Sequence, residues 1–315
     1  MPERNFDVDI CICTFRRPHV ANTLRSISQL TLNPALKIRI IVADNDDIPS
    51  ARDVVNTAAH DYFLELLYLH APGCNISIAR NACLAAASAP LIAFIDDDEL
   101  ASPGWLANLV ATLEESKASV VLGPMQAVYG ETCPRWMVNG DFHSLKPVWT
   151  NGKIMTGYTS NVLFCRLDPA LFDRRFRLEL GHGGEDTMFF SEVYRAGGCI
   201  EYAAEAWVTE AVPVSRASMF WLLKRRFRYG QTHALVLSED QNAGILTSLK
   251  WIGSASMKAG LCLLVALFNC TRPKKLREWL LRGTLHCGVL YQLILPSKRE
   301  PLYFRESYPQ ESSRS

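Results

Sequence analysis

Leu91-Ile92-Ala93-Phe94-Ile95-Asp96-Asp97-Asp98-Glu99 runs five apolar residues straight into four acids. The apolar half is too short for a helix and rich in β-branched and aromatic residues, so it reads as a buried parallel strand. Pro90 stands just before it, a position that suits a strand start. The acids then fall at the carboxyl end of the strand, the edge where open α/β sheets bind ligands. Carboxylates crowded at one point repel one another, and a divalent cation relieves the repulsion. Hard oxygen donors suit Mg²⁺ or Mn²⁺, and Mg²⁺ usually bridges one or two carboxylates to substrate phosphates. The competing interpretation is a solvated acidic turn ahead of a helix opening at Ser102-Pro103-Gly104.

The flanking sequence repeats the motif of a strand with a polar end. Asp7 to Cys13 reads as strand one and runs into the loop Thr14-Phe15-Arg16-Arg17-Pro18, then a helix carrying Leu24, Ile27 and Leu30. Lys37 to Ala43 reads as strand two and ends in Asp44-Asn45-Asp46-Asp47. A helix over 51–63, a short strand over 65–69 and an Ala-rich helix from Ser77 to Ala87 with Arg80 and Asn81 lead back to the opening stretch. A helix over 104–116 and a strand over 118–122 follow. Strands alternating with helices at this spacing predict a parallel, doubly wound sheet with right-handed crossovers. Thr14, Asp44 and Asp96 then collect at one edge and form one site.

Past residue 124 the pattern changes. Residues 125–155 are rich in Trp, Pro and Gly and have no clear period, 157–165 ends in a strand-like run, and 168–176 reads as a turn and short helix. Gly181-His182-Gly183-Gly184-Glu185-Asp186 is a Gly-rich loop feeding a helix over 187–196, and 199–203 is a further short strand. Ser215 to Leu237 reads as a long helix bearing Lys224, Arg225, Arg226 and Arg228. Two apolar segments, 251–270 and 279–295, enclose Lys274, Lys275 and Arg277. Their clean apolar runs fall short of the roughly 20 residues a membrane span needs. The pattern predicts interfacial or re-entrant attachment to an anionic bilayer, the alternative being two helices packed on the catalytic domain. We divide the chain into a catalytic domain, 1–240, a membrane-associating helical region, 241–305, and a polar, disordered tail, 306–315.

The 315 residues are 49% hydrophobic and 21% charged, enough for a substantial core, and the net charge of +1 makes no case for a nucleic-acid partner. Of ten cysteines, Cys11, Cys13, Cys83, Cys165 and Cys262 sit inside apolar runs, where reduced cysteine behaves as a small hydrophobe. No second pair at zinc-ligand spacing accompanies Cys11 and Cys13. With no signal peptide ahead of the first strand, a reducing cytoplasm is the expected compartment.

With these residues assembled, the chain resembles the inverting family 2 glycosyltransferases of the GT-A fold, a Rossmann-like, mostly parallel sheet flanked by helices. The opening strand into Thr14-Phe15-Arg16-Arg17-Pro18, the strand Ile40 to Asp46, the step Ala79-Arg80-Asn81, the Asp-x-Asp motif in Phe94 to Asp98 and the Glu-Asp pair after Gly184 carry the resemblance, over about residues 8–200. More narrowly, the chain resembles bacterial glucosyltransferases of succinoglycan and related exopolysaccharide assembly. The resemblance implies a UDP-sugar donor, a Mg²⁺ or Mn²⁺ cofactor, and transfer of a hexose such as glucose to a lipid-linked saccharide acceptor. The enzyme would sit on the inner face of the bacterial plasma membrane, peripheral or monotopic.

The same resemblance implies the residue roles. Thr14 and Arg16 lie where the family holds the nucleotide, Asp44 matches the carboxylate that reads the base, with Asp46 as a stand-in, and Arg80 supports the phosphates. Asp96 and Asp98 match the metal-motif acids, with Asp97 beside them on the nucleotide-sugar side and Asp98 the first choice of direct ligand. Asp186 matches the general base, with Glu185 beside it. Strand two ends Asp-Asn-Asp rather than Asp-Asp-Gly-Ser, which blurs the base-reading assignment. The Gln-x-x-Arg-Trp motif of processive synthases is replaced by Arg225-Arg226-Phe227-Arg228-Tyr229, which favours one sugar per acceptor.

Inverting transfer needs the leaving diphosphate neutralised and the acceptor hydroxyl deprotonated. A metal on Asp96 and Asp98 serves the first need, and Arg225, Arg226 or Arg228 offers a guanidinium to the phosphates or else forms a solvated or lipid-facing surface. Asp186 serves the second, unless it and Glu185 merely cap the helix they precede. Trp136, Trp149 and Tyr158 are candidates for sugar stacking or core packing, Asn161 for hydroxyl binding, and His182 for an acceptor contact without a catalytic part. Two other readings remain: a catalytically silent membrane-associated scaffold on the same fold, and a sugar-phosphate nucleotidyltransferase. The second expects a Gly-rich loop after strand one that Thr14 to Pro18 lacks.

Overall fold

The computed structural model describes residues 6–181, 183–239 and 244–295. The polar tail expected from residue 306 and His182 both lie outside these residues.

The N-terminal part alternates as its periodicity requires. It comprises β1 (Val8–Thr14), α1 (Val20–Ser28), β2 (Ile38–Asp44), α2 (Arg52–Asp61), β3 (Leu66–His70), α3 (Ile76–Ala86) and β4 (Leu91–Ile95). Then come β5 (Glu99–Ala101), α4 (Trp105–Ser116), β6 (Val120–Leu122), β7 (Met125–Tyr129), α5 (Arg135–Val138), β8 (Trp149–Thr150), β9 (Lys153–Ile154) and β10 (Asn161–Cys165). After these follow α6 (Glu185–Arg195), β11 (Ile200–Tyr202), β12 (Val208–Val212), α7 (Met219–Ser238), α8 (Ile245–Phe268) and α9 (Pro273–Ile294).

One seven-stranded sheet runs β11-β6-β10-β4-β1-β2-β3. Side chains on a strand alternate between faces, and β1 sorts accordingly. Val8, Ile10 and Ile12 join α1, α2 and α4 with Trp105 and Leu106, while Cys11 and Cys13 join α3 and α6 with Phe164, Phe189 and Phe190. The cysteine pair is therefore core, and all ten thiols are free.

The sheet departs from the purely parallel pattern at one strand. β10 lies between β4 and β6 and is antiparallel to both. β6 leaves the sheet at its carboxyl edge, and the chain then builds a second, three-stranded sheet, β5-β12-β7. It re-enters at that same edge, so β10 can only run downward. The aperiodic stretch 125–155 thus holds β7, α5, β8 and β9, whose short lengths hide them from pattern reading. Residues 168–176 form turns rather than a short helix, with a single 3₁₀ turn at Leu178–Leu180.

The C-terminal helices correct a second expectation. α8 is 24 residues long, apolar enough to cross a membrane by length and composition, and only 17% of its most apolar window is buried. Thr247, Ser248, Lys250, Ser254 and Ser256 interrupt the run of apolar letters but not the helix. α9 lies between α7 and α8. Its crossing with α7 is a backbone contact, since a Cβ on Gly230 would fall 1.9 Å from the Leu285 carbonyl oxygen and one on Gly288 1.9 Å from that of Phe227.

Candidate active site

Parallel register sets the edge level, pairing Thr14 with Asp44 and Asp44 with His70. The acids after β4 alternate like a strand: Asp96 and Asp98 are partly exposed, whereas Asp97 and Glu99 are buried. The inward pair fixes the turn. Asp97 Oδ2 accepts from Thr14 Oγ1 at 2.7 Å and its Oδ1 accepts from Arg17 Nη1 at 2.9 Å. Thr23 Oγ1 donates to the carbonyls of Asp97 (3.0 Å) and Glu99 (2.8 Å). Glu99 Oε2 accepts the Asp96 N–H at 3.0 Å, while its Oε1 is buried without a partner. Asp97 therefore shapes the motif from beneath, and Asp96 and Asp98 turn partly exposed carboxylates outward, that of Asp98 accepting from Arg17 Nη1 at 2.7 Å. Burial pushes the Asp96 carboxyl up to about 6, with the Asp98 charge adding and Arg80 opposing.

At the end of β2, Asp44 and Asp46 are both buried and only Asp47 is exposed. Asp44 is fully buried, and its oxygens accept from Tyr68 Oη (2.7 Å), Ala51 N (2.8 Å) and Asp46 N (3.1 Å). Those bonds hold the loop that leads into α2. Asp46 Oδ1 accepts from Arg16 Nε at 2.8 Å, which holds its carboxyl below the usual range. Arg16, in the left-handed region at φ 55°, keeps a 60% exposed side chain at the rim.

Opposite them, Gly183 (φ 132°) and Gly184 (φ 93°) turn the chain into α6, which starts at Glu185 and not at Thr187. Both glycines adopt conformations that side chains resist. Glu185 is turned inward and ion-paired with the buried Arg80. Asp186 stays partly exposed, its Oδ1 accepting from Thr187 N at 2.6 Å. Burial pushes the Asp186 carboxyl up to about 6, the Glu185 charge adding to it and Arg80 opposing. Arg80 acts electrostatically on Asp96, Glu185 and Asp186 alike, so these groups form one cluster. From α7, Arg228 lies over Gly183, where an added Cβ would sit 3.1 Å from Nη2.

A family profile, "Glycosyl transferase family 2", matches residues 9–168, the stretch that carries the Asp96 and Asp98 turn. The chain belongs to glycosyl transferase family 2. It is 46% identical over 295 residues to the succinoglycan biosynthesis protein ExoM of Rhizobium meliloti (strain 1021), spanning 93% of this chain and 95% of that one. It is 24% identical over 264 residues to the glucosyl-dolichyl phosphate glucuronosyltransferase of Haloferax volcanii, covering 75% of this chain and 81% of that one. The fold matches the mannosyltransferase PcManGT of Pyrobaculum calidifontis, solved with GDP-Man and Mn²⁺, at a TM-score of 0.63 and 17% identity over 94% of this chain and 89% of that one. It also matches S. aureus TarS 1-349, solved with UDP-GlcNAc, at 0.52 and 14% over 91% of each chain. The architecture is the GT-A fold, and the chain is a glycosyltransferase.

Among the described residues of this glycosyltransferase, no three His, Cys, Asp or Glu side chains converge as a metal cage. Two partly exposed carboxylates, Asp96 and the Arg17-paired Asp98, stand beside the orphaned Glu99 oxygen. That donor set fits a hard divalent cation whose remaining ligands are substrate phosphates and water.

Other expectations are redirected. Asn161 is buried and structural: its Oδ1 accepts from Trp105 Nε1 at 2.8 Å and its Nδ2 donates to the carbonyls of Pro124 and Ala206. Tyr158 is buried and donates to the Gly123 carbonyl. Trp149 stays 49% exposed against Tyr202, and Trp136 lies under Arg277. Arg225 donates to Tyr229 Oη at 2.6 Å within its own helix.

Pattern reading missed Arg17, which links Asp97 to Asp98, and the pair Glu99 and Glu210, which face each other across β5 and β12. Glu210 is ion-paired with Arg216 at 2.6 Å, and its carboxyl is pushed up by burial and then by Asp98. The alternation Val208-Thr209-Glu210-Ala211-Val212 was a faint signal for β12, but nothing local marks its neighbour.

Proposed function

We propose that this glycosyltransferase moves a hexose, glucose in our reading, from a UDP-sugar to a lipid-linked oligosaccharide in the assembly of a succinoglycan-like bacterial exopolysaccharide. The 46% identity to ExoM across nearly the full length of both chains supports the pathway. The observation that carries the chemistry is the gathering of Asp96 and Asp186 around Arg80 at one sheet edge, with Asp98 acting on Asp96. Asp96 and Asp98 would hold Mg²⁺ or Mn²⁺ together with the donor, and the ion would supply Lewis-acid neutralisation of the leaving diphosphate. Asp186 takes the proton of the acceptor hydroxyl. Arg80 draws Glu185 away from it, so one carboxylate of the pair does the chemistry and the other sets its position. Thr14, Arg16 and Asp46 line the nucleotide end. Asp44 and Asp97 serve the donor by holding the two loops.

The enzyme works on the inner face of the plasma membrane. Leu249, Met257, Leu261, Leu264, Leu267 and Phe268 form an exposed apolar stripe on α8, with Lys250, Lys258, Lys274 and Lys275 exposed around it. Apolar area ringed by cations suits an anionic lipid surface.

UDP release tests the reading, with a panel of UDP-hexoses, Mn²⁺ and a bacterial lipid extract. Wild type should release UDP only when acceptor and metal are both present. Asp186→Asn should lose about 10²–10⁴-fold in kcat with UDP binding intact, the usual worth of a positioned base. Full turnover by the variant would move the base elsewhere. No UDP binding by wild type would reject the donor.

A further inference from the structure

Arg17 stands where the metal motif would receive its cation. Its Nη1 lies 2.9 Å from Asp97 Oδ1 and 2.7 Å from Asp98 Oδ2. The two acids differ in freedom. Asp97 is 4% exposed and tied to Thr14, so it anchors the guanidinium. Asp98 is partly exposed, and its side chain is engaged by Arg17. With 26% of its side chain exposed, Arg17 holds a pair that solvent screens only in part.

A divalent cation entering alone has little to gain here. Among the described residues no third carboxylate, His or Cys completes a cage, so the protein offers Asp96 and Asp98. One of those must first be taken from a guanidinium that repels the incoming charge. A cation arriving with a nucleoside diphosphate brings phosphate oxygens as further ligands, and it brings negative charge that offsets the repulsion. We propose that Arg17 is a positioning residue that occupies Asp98 until donor and metal arrive together, so that the cation binds with the nucleotide-sugar and not before it. This rests on the metal-binding reading of Asp96 and Asp98 given above. It assigns a binding order that the motif alone does not contain.

The alternative role for Arg17 is structural, as a counter-ion that keeps the acidic turn folded. The two roles differ in sign. A structural counter-ion, once removed, lowers metal affinity, and an occupant, once removed, raises it.

Mn²⁺ titration followed by the electron paramagnetic resonance of the free ion decides between them, on the full chain with and without UDP. Wild type should bind Mn²⁺ weakly alone and much more tightly with UDP. Arg17→Gln should bind Mn²⁺ alone about tenfold more tightly than wild type, the equivalent of one partly buried ion pair, and UDP should then add less. Arg17→Lys, which keeps the charge but loses the fork, should fall between them and carries the comparison should Arg17→Gln not fold. Affinity without UDP equal to or below wild type in the folded variants would overturn the proposal, as would failure of both variants to fold. No Mn²⁺ uptake by wild type even with UDP would instead reject the metal reading itself.

Discussion

The direction in which each acid is turned decides its work in this site. Where an acid faces inward, as Asp44, Asp97, Glu99 and Glu185 do, neighbouring donors or Arg80 hold it and it shapes a loop. Where it is turned outward, as Asp96, Asp98 and Asp186 are, it stays partly exposed, and in our reading it serves the substrate. The Asp186 carboxyl, pushed up to about 6 by burial, must be ionised to accept a proton. The sign follows: in the role we propose, Asp186 is protonated and idle below that value and competent above it. We expect kcat to fall about tenfold per pH unit below about pH 6, and to plateau above about pH 7. A pH–rate profile at saturating donor checks this, and a limb unchanged in Asp186→Asn would assign the titration to another group. Arg17 was present in the quoted loop, but its bond to Asp97 spans 80 residues and no local pattern announces it.

At the scale of elements, α7 and α9 are joined through glycines. The absent side chains of Gly230 and Gly288 let the two backbones touch, and α7 in turn brings Arg228 over Gly183. Gly288→Ala would place a Cβ 1.9 Å from the Phe227 carbonyl oxygen, so the helices must part. Overpacking of this kind costs about 1–3 kcal/mol, read as a lower midpoint in urea unfolding. Gly260→Ala on α8 meets nothing within 4 Å and serves as the contrast. It should hold or raise stability, by up to about 1 kcal/mol, through helix propensity. Equal losses in both variants would mean that the α7 and α9 contact is not tight. The existence of these helices was legible from their apolar periodicity. Their partners were not, because a glycine that allows close packing looks like any other glycine in a helical run.

For the whole molecule, we place the helix that could span a membrane along its surface. A 24-residue helix is about 36 Å long, enough to cross. A crossing α8 would carry Arg272, Lys274 and Lys275 to the far side, and with them α9, which packs on α7 and so on the catalytic domain. Attachment in the plane keeps these cations with the lipid headgroups. We expect the purified chain to float with vesicles containing anionic phosphatidylglycerol and to stay behind with neutral ones. Leu264→Glu, on the exposed stripe, should reduce flotation at least several-fold. The exposed Cys270 should react with a membrane-impermeant maleimide in inside-out vesicles and not in intact cells. The reverse labelling would mean that α8 crosses.

The sequence by itself determined the alternating strands and helices of the N-terminal half, the acids at the ends of β2 and β4, and the glycine turn before Glu185 and Asp186. These are local features, written in periodicity and in conformational preference over a few residues. Only the tertiary structure decided that β10 runs against its neighbours, since that direction follows from the edge at which a long excursion returns. It also decided that Glu185 belongs to Arg80, 105 residues away, and that Asp98 is engaged by Arg17, 81 residues away. Charges choose partners by distance in space, and strand register and helix placement, not spacing along the chain, set those distances.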